Sequence, residues 1–107
     1  MALYELRQYE IRPGKMESWI QFMEREIVPY QVAKGMVVTG IFRGETDDSF
    51  FFWIRRFEDE AQREALYQSV YEDGEWEQRF KDRVTEHIVR ETITVNRAIP
   101  TPKSVLQ

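Results

Sequence analysis

Glu5, Arg7 and Tyr9 stand two residues apart in a stretch, Leu3 to about Ile11, that reads as a strand, and this spacing puts all three on one face. A carboxylate, a guanidinium and a phenol so aligned could orient a carbonyl or phenolic ligand. Arg7 would then stabilise a developing oxyanion, with Tyr9 or Glu5 as the acid–base group. The same three residues also read as an ion network at a sheet or dimer interface, because burying either charge alone costs several kcal/mol. A second group lies further on. Phe51, Trp53, Arg55 and Phe57 share one strand face, and an arginine over aromatic rings could bind a planar anion. The bland reading is core packing with the Arg55 head reaching solvent. Arg56, on the opposite face, reads as a solvated or interface charge.

His87 is the only histidine. Its ordinary pKa near neutrality makes it a candidate general base. At an apparent helix-to-strand junction it equally reads as a solvated or capping residue. With no second histidine and no cysteine, neither haem nor a metal is expected, and no other cofactor is indicated. Tyr67, Tyr71 and Trp76, and separately Trp19 and Phe22, could line the mouth of a pocket or serve as half-buried packing rings. Met16 and Met23 read as core filler. There is no glycine-rich phosphate loop, no Ser-His-Asp ordering and no metal-ligand spacing, so hydrolysis and phosphoryl transfer are disfavoured.

The elements that must hold these residues follow from periodicity. After the first strand, Pro13-Gly14 makes a break. From about Lys15 to Val32 the apolar residues Met16, Trp19, Ile20, Met23, Ile27 and Tyr30 recur at helical spacing. Pro29 predicts a kink or an end near Val28. Met36 to about Arg43 is a second strand, with Gly40 marking a bulge or close backbone approach. Phe50 to Phe57 is a third, forming a hairpin with it. Asp59 and Gln62 form a capping box that opens a helix with Ala61, Ala65, Leu66 and Val70 turned inward. Asp73-Gly74 interrupts it, and Trp76, Phe80 and Val84 predict a further short helix. His87 to about Arg97 reads as the last strand, and Ile99 to Gln107 as an extended tail.

This β-α-β-β-α-(α)-β order is the α+β, ferredoxin-like arrangement: one four-stranded antiparallel sheet with its helices on one face, as a single domain over residues 1–107. The third strand carries large apolar groups on both faces: Phe51 and Trp53 on one, Phe50, Phe52 and Ile54 on the other. The chain's own helices cover only one side, so a second copy is the expected cover for the other.

Composition narrows the partners. Net charge is −4, and the 15 Lys and Arg residues are dispersed among acids, which argues against nucleic acid and weakly against an anionic membrane surface. The absence of cysteine removes a disulfide scaffold and a thiolate nucleophile. The N-terminus lacks a basic-then-apolar signal pattern, and no apolar run approaches the ~20 residues that span a bilayer, so a cytoplasmic location is expected. Aromatic residues make up 14% of the chain, enough to line a broad core or a cavity.

Tyr4-Glu5-Leu6-Arg7-Gln8-Tyr9 followed by Arg12-Pro13-Gly14-Lys15 resembles the opening of NIPSNAP domains. The resemblance continues through Trp53 and Asp73-Gly74-Glu75-Trp76, where such domains often carry proline at the position of Gly74. It ends in Pro100-Thr101-Pro102-Lys103-Ser104, similar to a Pro-x-Pro-x-Ser ending. The resemblance implies a dimeric α+β barrel in which two sheets face each other. It implies no particular reaction, because related barrels include cofactor-independent monooxygenases, haem-degrading enzymes and dehydratase or isomerase types. Two functions therefore stand. One is a homodimeric barrel binding a small apolar or aromatic molecule, with Arg7, Tyr9, Glu5 and His87 as catalytic candidates and Trp53, Arg55, Phe51, Trp19, Tyr67 and Trp76 as ligand contacts. If catalytic, it would abstract a proton from, or oxygenate, an activated phenol or enol. The other is a non-catalytic dimeric interaction module.

Overall fold

Two strands, β1 (Leu3–Glu10) and β3 (Phe50–Phe57), run antiparallel at the centre of the sheet, and their register joins the two residue groups noticed in the sequence. Glu5 lies opposite Arg55, Arg7 opposite Trp53, and Tyr9 opposite Phe51. In this computed structural model, which describes all residues from Met1 to Gln107, β2 (Val37–Arg43) flanks β3 and β4 (Thr94–Ala98) flanks β1. Every pairing is antiparallel, in the order β2-β3-β1-β4. The helices lie between the strands in sequence, which makes the fold α+β and ferredoxin-like, as the sequence predicts.

The register of β2 against β3 shifts between Val38 and Gly40. Thr39 is the extra residue of this bulge, so Val38 and Ile41 both pack on the main core, while Phe42 points to the other side and stays 53% exposed. Gly40 is tolerated by nothing larger without movement, since a Cβ there would lie 2.7 Å from the Phe42 ring.

The first helix differs from its expected end. α1 (Met16–Phe22) passes into a π-helical stretch (Met23–Ile27) and then α2 (Val28–Ala33), so the helix runs past Pro29 rather than stopping near Val28. The Val28 N–H reaches back five residues to the Met23 carbonyl, and this wider turn admits a proline ring that has no N–H to give. The helix stops at Gly35, whose φ of +110° suits glycine alone. Gly35 N–H bonds Val32 O at 3.0 Å and Met36 N–H bonds Gln31 O at 3.0 Å, which together close a Schellman end.

α3 (Glu60–Tyr71) opens as expected, with the Asp59 carboxylate accepting the Gln62 N–H at 2.8 Å; the Gln62 side chain reciprocates one residue earlier, on the Glu58 N–H at 2.7 Å. Its inward face is corrected, however. Ala61 and Ala65 are exposed, and Arg63, Leu66, Tyr67 and Val70 turn toward the sheet. The rotation is driven by polar demand, because Arg63 and Tyr67 both bond Glu5 beneath them. A π-helical stretch (Glu77–Lys81) and α4 (Asp82–His87) carry Phe80 and Val84 into the core.

The last strand is shorter than the sequence suggests. His87 ends α4 instead of starting a strand, Ile88 makes one bridge to Ile11, and a 3-10 turn (Arg90–Thr92) precedes β4. β-rich composition over 88–93 is used for packing, with Ile88 fully buried and Ile93 leaning on the core, and not for pairing.

The helix side of the sheet is filled by a core centred on Trp19, Met23, Phe51 and Phe80, with a satellite of Met36, Phe57 and Val70. On the other side the tail folds back. Tyr4 Oη and Arg56 Nε both donate to the Gln107 carbonyl, at 2.9 and 2.6 Å, beside Leu6 and Ile54. The remaining open face carries Phe42, Phe50 and Phe52, with the last two stacked nearly parallel at 6.3 Å. No helix is long and apolar enough to cross a membrane.

Candidate functional site

Period-two spacing on β1 and β3 brings Glu5, Arg7, Trp53 and Arg55 to the helix side, and α2 and α3 lay Gln31, Arg63, Tyr67 and Tyr71 over them. Glu5 and Arg55 form the floor, both with no exposed side-chain surface. Arg55 Nη2 donates to Glu5 Oε1 at 2.7 Å and to Tyr67 Oη at 2.8 Å. Arg55 Nη1 donates to Gln31 Oε1 at 2.9 Å and to Tyr71 Oη at 2.7 Å. The guanidinium also lies 4.9 Å from the Trp53 ring centroid. Arg55 thus never reaches solvent; both its Nη nitrogens are taken up by internal partners while its buried Nε has none, against the simple packing expectation.

The other oxygen of Glu5 accepts from Tyr67 Oη at 2.6 Å and Arg63 Nε at 2.7 Å. Burial pushes the Glu5 carboxyl up, but the Arg55 charge and the bonds from Tyr67, Arg63 and Arg55 override it and hold the pKa at about 2. Burial pushes the Tyr67 phenol up to about 12, with the Arg55 charge opposing and the bond to Glu5 assisting. Arg55 is stabilised in its charged form despite burial by Tyr71, Tyr67 and Glu5.

Above this floor a cavity of about 320 Å³ opens between sheet and helices. Its apolar wall includes Trp19, Trp53 and Trp76, with Met23 and Ile27 from the π-helical stretch, and Ile93. Its polar wall is Arg7, Tyr9, Gln31, Tyr67 and Tyr71, with exposed Arg90 at the rim. Arg7 Nε donates to Tyr9 Oη at 2.9 Å, and the same oxygen accepts from Trp53 Nε1 at 3.0 Å. Arg7 Nη1 is 3.4 Å from Tyr67 Oη and 3.6 Å from Glu5 Oε1.

Of the residues singled out in the sequence, Arg7, Tyr9, Trp19, Trp53, Tyr67, Tyr71 and Trp76 line this one cavity, and so does Met23, which reads in the sequence as core filler. Glu5 and Arg55 lie beneath it as support. Phe51 is fully buried behind Tyr9 and Trp19, without a place in the lining. His87 is outside it too. Its Nδ1 is 2.6 Å from the Arg83 carbonyl, its Nε2 meets Ser18 Oγ, and its ring packs on Trp19 and Phe22. It is therefore a buried, fully engaged ring rather than a solvated or capping residue, and both nitrogens are occupied away from the cavity.

Gln31 and Arg63 were missed by sequence reasoning. Gln31 is fully buried and sits four residues after Ile27, so a polar residue on an apolar stripe was the available signal. Arg63 is four residues before Tyr67 and shares its face, a weaker signal that only the Glu5 contact makes meaningful.

A family model described as NIPSNAP matches residues 4–104. No curated protein matches the chain. Among solved structures, a NIPSNAP family protein from Agrobacterium tumefaciens superposes with a TM-score of 0.85 at 24% identity, covering 100% of both chains. An uncharacterized NIPSNAP-like domain protein from Burkholderia xenovorans gives 0.84 at 20% identity, over 96% of this chain and 88% of that one. An antibiotic biosynthesis monooxygenase gives 0.66 at 20% identity, over 94% of this chain and 99% of that one. At these identities the structural likeness speaks for the fold alone.

Proposed function

This chain belongs to the NIPSNAP family, and we propose that it works as a homodimer that binds a small apolar or aromatic molecule in the cavity between helices and sheet. The observation that carries the reading is the cavity itself: about 320 Å³, at the small end of the roughly 300–1,000 Å³ typical of ligand sites, with a ring-rich wall facing a compact polar wall. The polar wall is anchored from below by Glu5 and Arg55, so its geometry is fixed before a ligand arrives.

The network binds and orients; it does not shuttle protons near neutrality. Glu5, held at about 2, is a weak base, and Tyr67, at about 12, is a weak acid. Any cofactor-independent oxygenation or isomerisation of an activated phenol or enol here would draw on the ligand's own acidity, with Arg7 beside the developing oxyanion. The fold shared with an antibiotic biosynthesis monooxygenase supports that reaction class only by analogy.

The dimer rests on the open face of the sheet, where Phe42, Phe50 and Phe52 form a patch that the tail leaves uncovered. That patch also favours a second reading, a non-catalytic dimeric interaction module. One titration separates the two. All three tryptophans of the chain line the cavity, so 2-naphthylmethanol should quench their fluorescence saturably, and Ile93→Phe, which narrows the cavity, should abolish the effect. A dimer in which neither this probe nor its anionic analogue 2-naphthoate quenches saturably would leave only the interaction module. Light scattering at micromolar concentration should give about twice the 12.9 kDa chain mass, and Phe52→Asp should return it to one chain. A wild-type protein with the mass of one chain overturns the dimer.

A further inference from the structure

We infer that the cavity is built for an anionic ligand, an apolar or aromatic body carrying a single carboxylate or enolate-type oxygen group, held at the polar wall by Arg7 and the hydroxyls of Tyr9 and Tyr71. The inference rests on the cavity-binding reading above and specifies the chemistry of its occupant.

Charge comes first. Glu5 is the only carboxylate in the buried cluster, and it serves Arg55 and Arg63 at 2.7 Å each. Arg63 has a second carboxylate, Glu60, at 3.2 Å. Arg7 is left with Glu5 at 3.6 Å, and Glu5 Oε1 is already bonded to Arg55. Arg7 is mostly buried, with 18% of its side chain exposed, and it lines the cavity. The rim adds Arg90, and no aspartate or glutamate contributes to the lining. A guanidinium so placed lacks a close counter-ion that a ligand could supply.

Hydrogen-bond accounting agrees independently. Tyr9 Oη accepts from Arg7 and from Trp53, so both bonds arrive at its oxygen and its own hydrogen has no acceptor within the protein. Tyr71 Oη is in the same condition, accepting from Arg55 and Gln31. The indole N–H of Trp19, fully buried in the same wall, also has no acceptor. Tyr67 contrasts with them, since its hydroxyl donates to Glu5. The wall therefore holds unspent donors, while its acceptors are already engaged. A ligand made only of carbon would leave those donors unanswered, and a cation would face Arg7. An oxygen anion satisfies both the charge and the donors.

The test compares two probes of nearly equal shape by calorimetry at neutral pH: 2-naphthoate, which is anionic, and 2-naphthylmethanol, which is neutral. In the wild type, 2-naphthoate should bind about tenfold tighter or better. Arg7→Met should bring naphthoate down to the level of the neutral probe while leaving the neutral probe bound. Tyr9→Phe, which keeps the ring, should reduce the preference in part. Arg97→Met, an exposed arginine on β4 paired with Glu60, should leave both probes unchanged. Equal binding of the two probes by the wild type overturns the anion inference and leaves the cavity reading standing. Binding of neither overturns the cavity reading and the inference with it. The wild-type comparison stands by itself should Arg7→Met fail to fold.

Discussion

Glu5 and Arg55 face each other across the two central strands and meet at 2.7 Å, with neither side chain reaching solvent. A buried pair of this kind stabilises little against an apolar substitute, but removing one partner strands the other in a low-dielectric interior. Glu5→Gln therefore leaves Arg55 uncompensated, with Arg7 and Arg63 nearby, and should lower unfolding free energy by about 3–5 kcal/mol. In urea melts, the double variant Glu5→Gln/Arg55→Met should cost clearly less than the sum of the single variants. Additive costs would mean that the pair does not act as a unit.

Stability should fall in acid for the same reason. The folded-state pKa of Glu5, about 2, lies below its ordinary 4.5, so the native protein resists protonation that the unfolded chain accepts. The contribution is fully present above about pH 4.5 and is lost as pH falls toward 2, amounting to roughly 3 kcal/mol at most. Chemical denaturation at stepped pH should show this loss, and the acid decline should be smaller by about this amount in Glu5→Gln, the remainder belonging to other carboxylates held low by their partners, such as Asp73 and Glu26.

At the alkaline end the sign reverses. Tyr67 holds its proton up to about 12 when folded, against an ordinary value of 10.0, so its contribution is intact below pH 10 and lost as pH rises through 12. Tyr67→Phe should remove this contribution, and absorbance titration of the folded wild type against Tyr67→Phe should show a phenolate ionising at about 12 in the wild type alone.

His87 tests which side of Trp19 matters. Its ring nitrogens are taken up by Ser18 and the Arg83 carbonyl, outside the cavity. His87→Phe keeps the ring stack on Phe22 but loses the polar bonds, and should cost about 1–2 kcal/mol of stability while leaving 2-naphthylmethanol binding intact. A pH-dependent loss of binding in the wild type that vanishes in His87→Phe would return His87 to the site.

Gly35→Ala should destabilise by about 1–2 kcal/mol, since φ at this position is +110° and the added Cβ would lie 3.1 Å from Leu66. Thermal melts would register it, with little change in the affinity for either naphthyl probe.

Strand content was legible where a continuous run of β-favouring apolar residues stood beside turn signals, as in Phe50 to Phe57, whose bounds match in full. Face assignment on β1 also held, because period two leaves no alternative once the strand is right. The errors arose where tertiary demand outweighed local pattern. α3 turned Arg63 and Tyr67 inward, over the alanines, because Glu5 needed donors that only the folded sheet reveals. The segment from Ile88 to Ile93 has strand-forming composition but faces the core as a bridge and a tight turn. Within the site, Arg7 and Tyr9 were recognisable from one strand. That Arg7 lacks a close counter-ion while Arg55 is paired with Glu5 at 2.7 Å depends on cross-strand register and on Gln31, Tyr67 and Tyr71, none of which a single sequence encodes locally.

The π-helical stretch from Met23 to Ile27 has a bearing on chain length. Excising the surplus residue would tighten the turn back to α geometry, and the narrower turn would absorb the deletion, so the segments before and after it would keep their facing. Trp19 before it and Gln31 after it would stay in place, but Met23 and Ile27, which line the cavity from within the wide turn, would lose their present spacing there. The breadth of the binding space is thus metered by a single surplus residue in the first helix, and relatives that differ there by an insertion or deletion should accommodate ligands of a different outline.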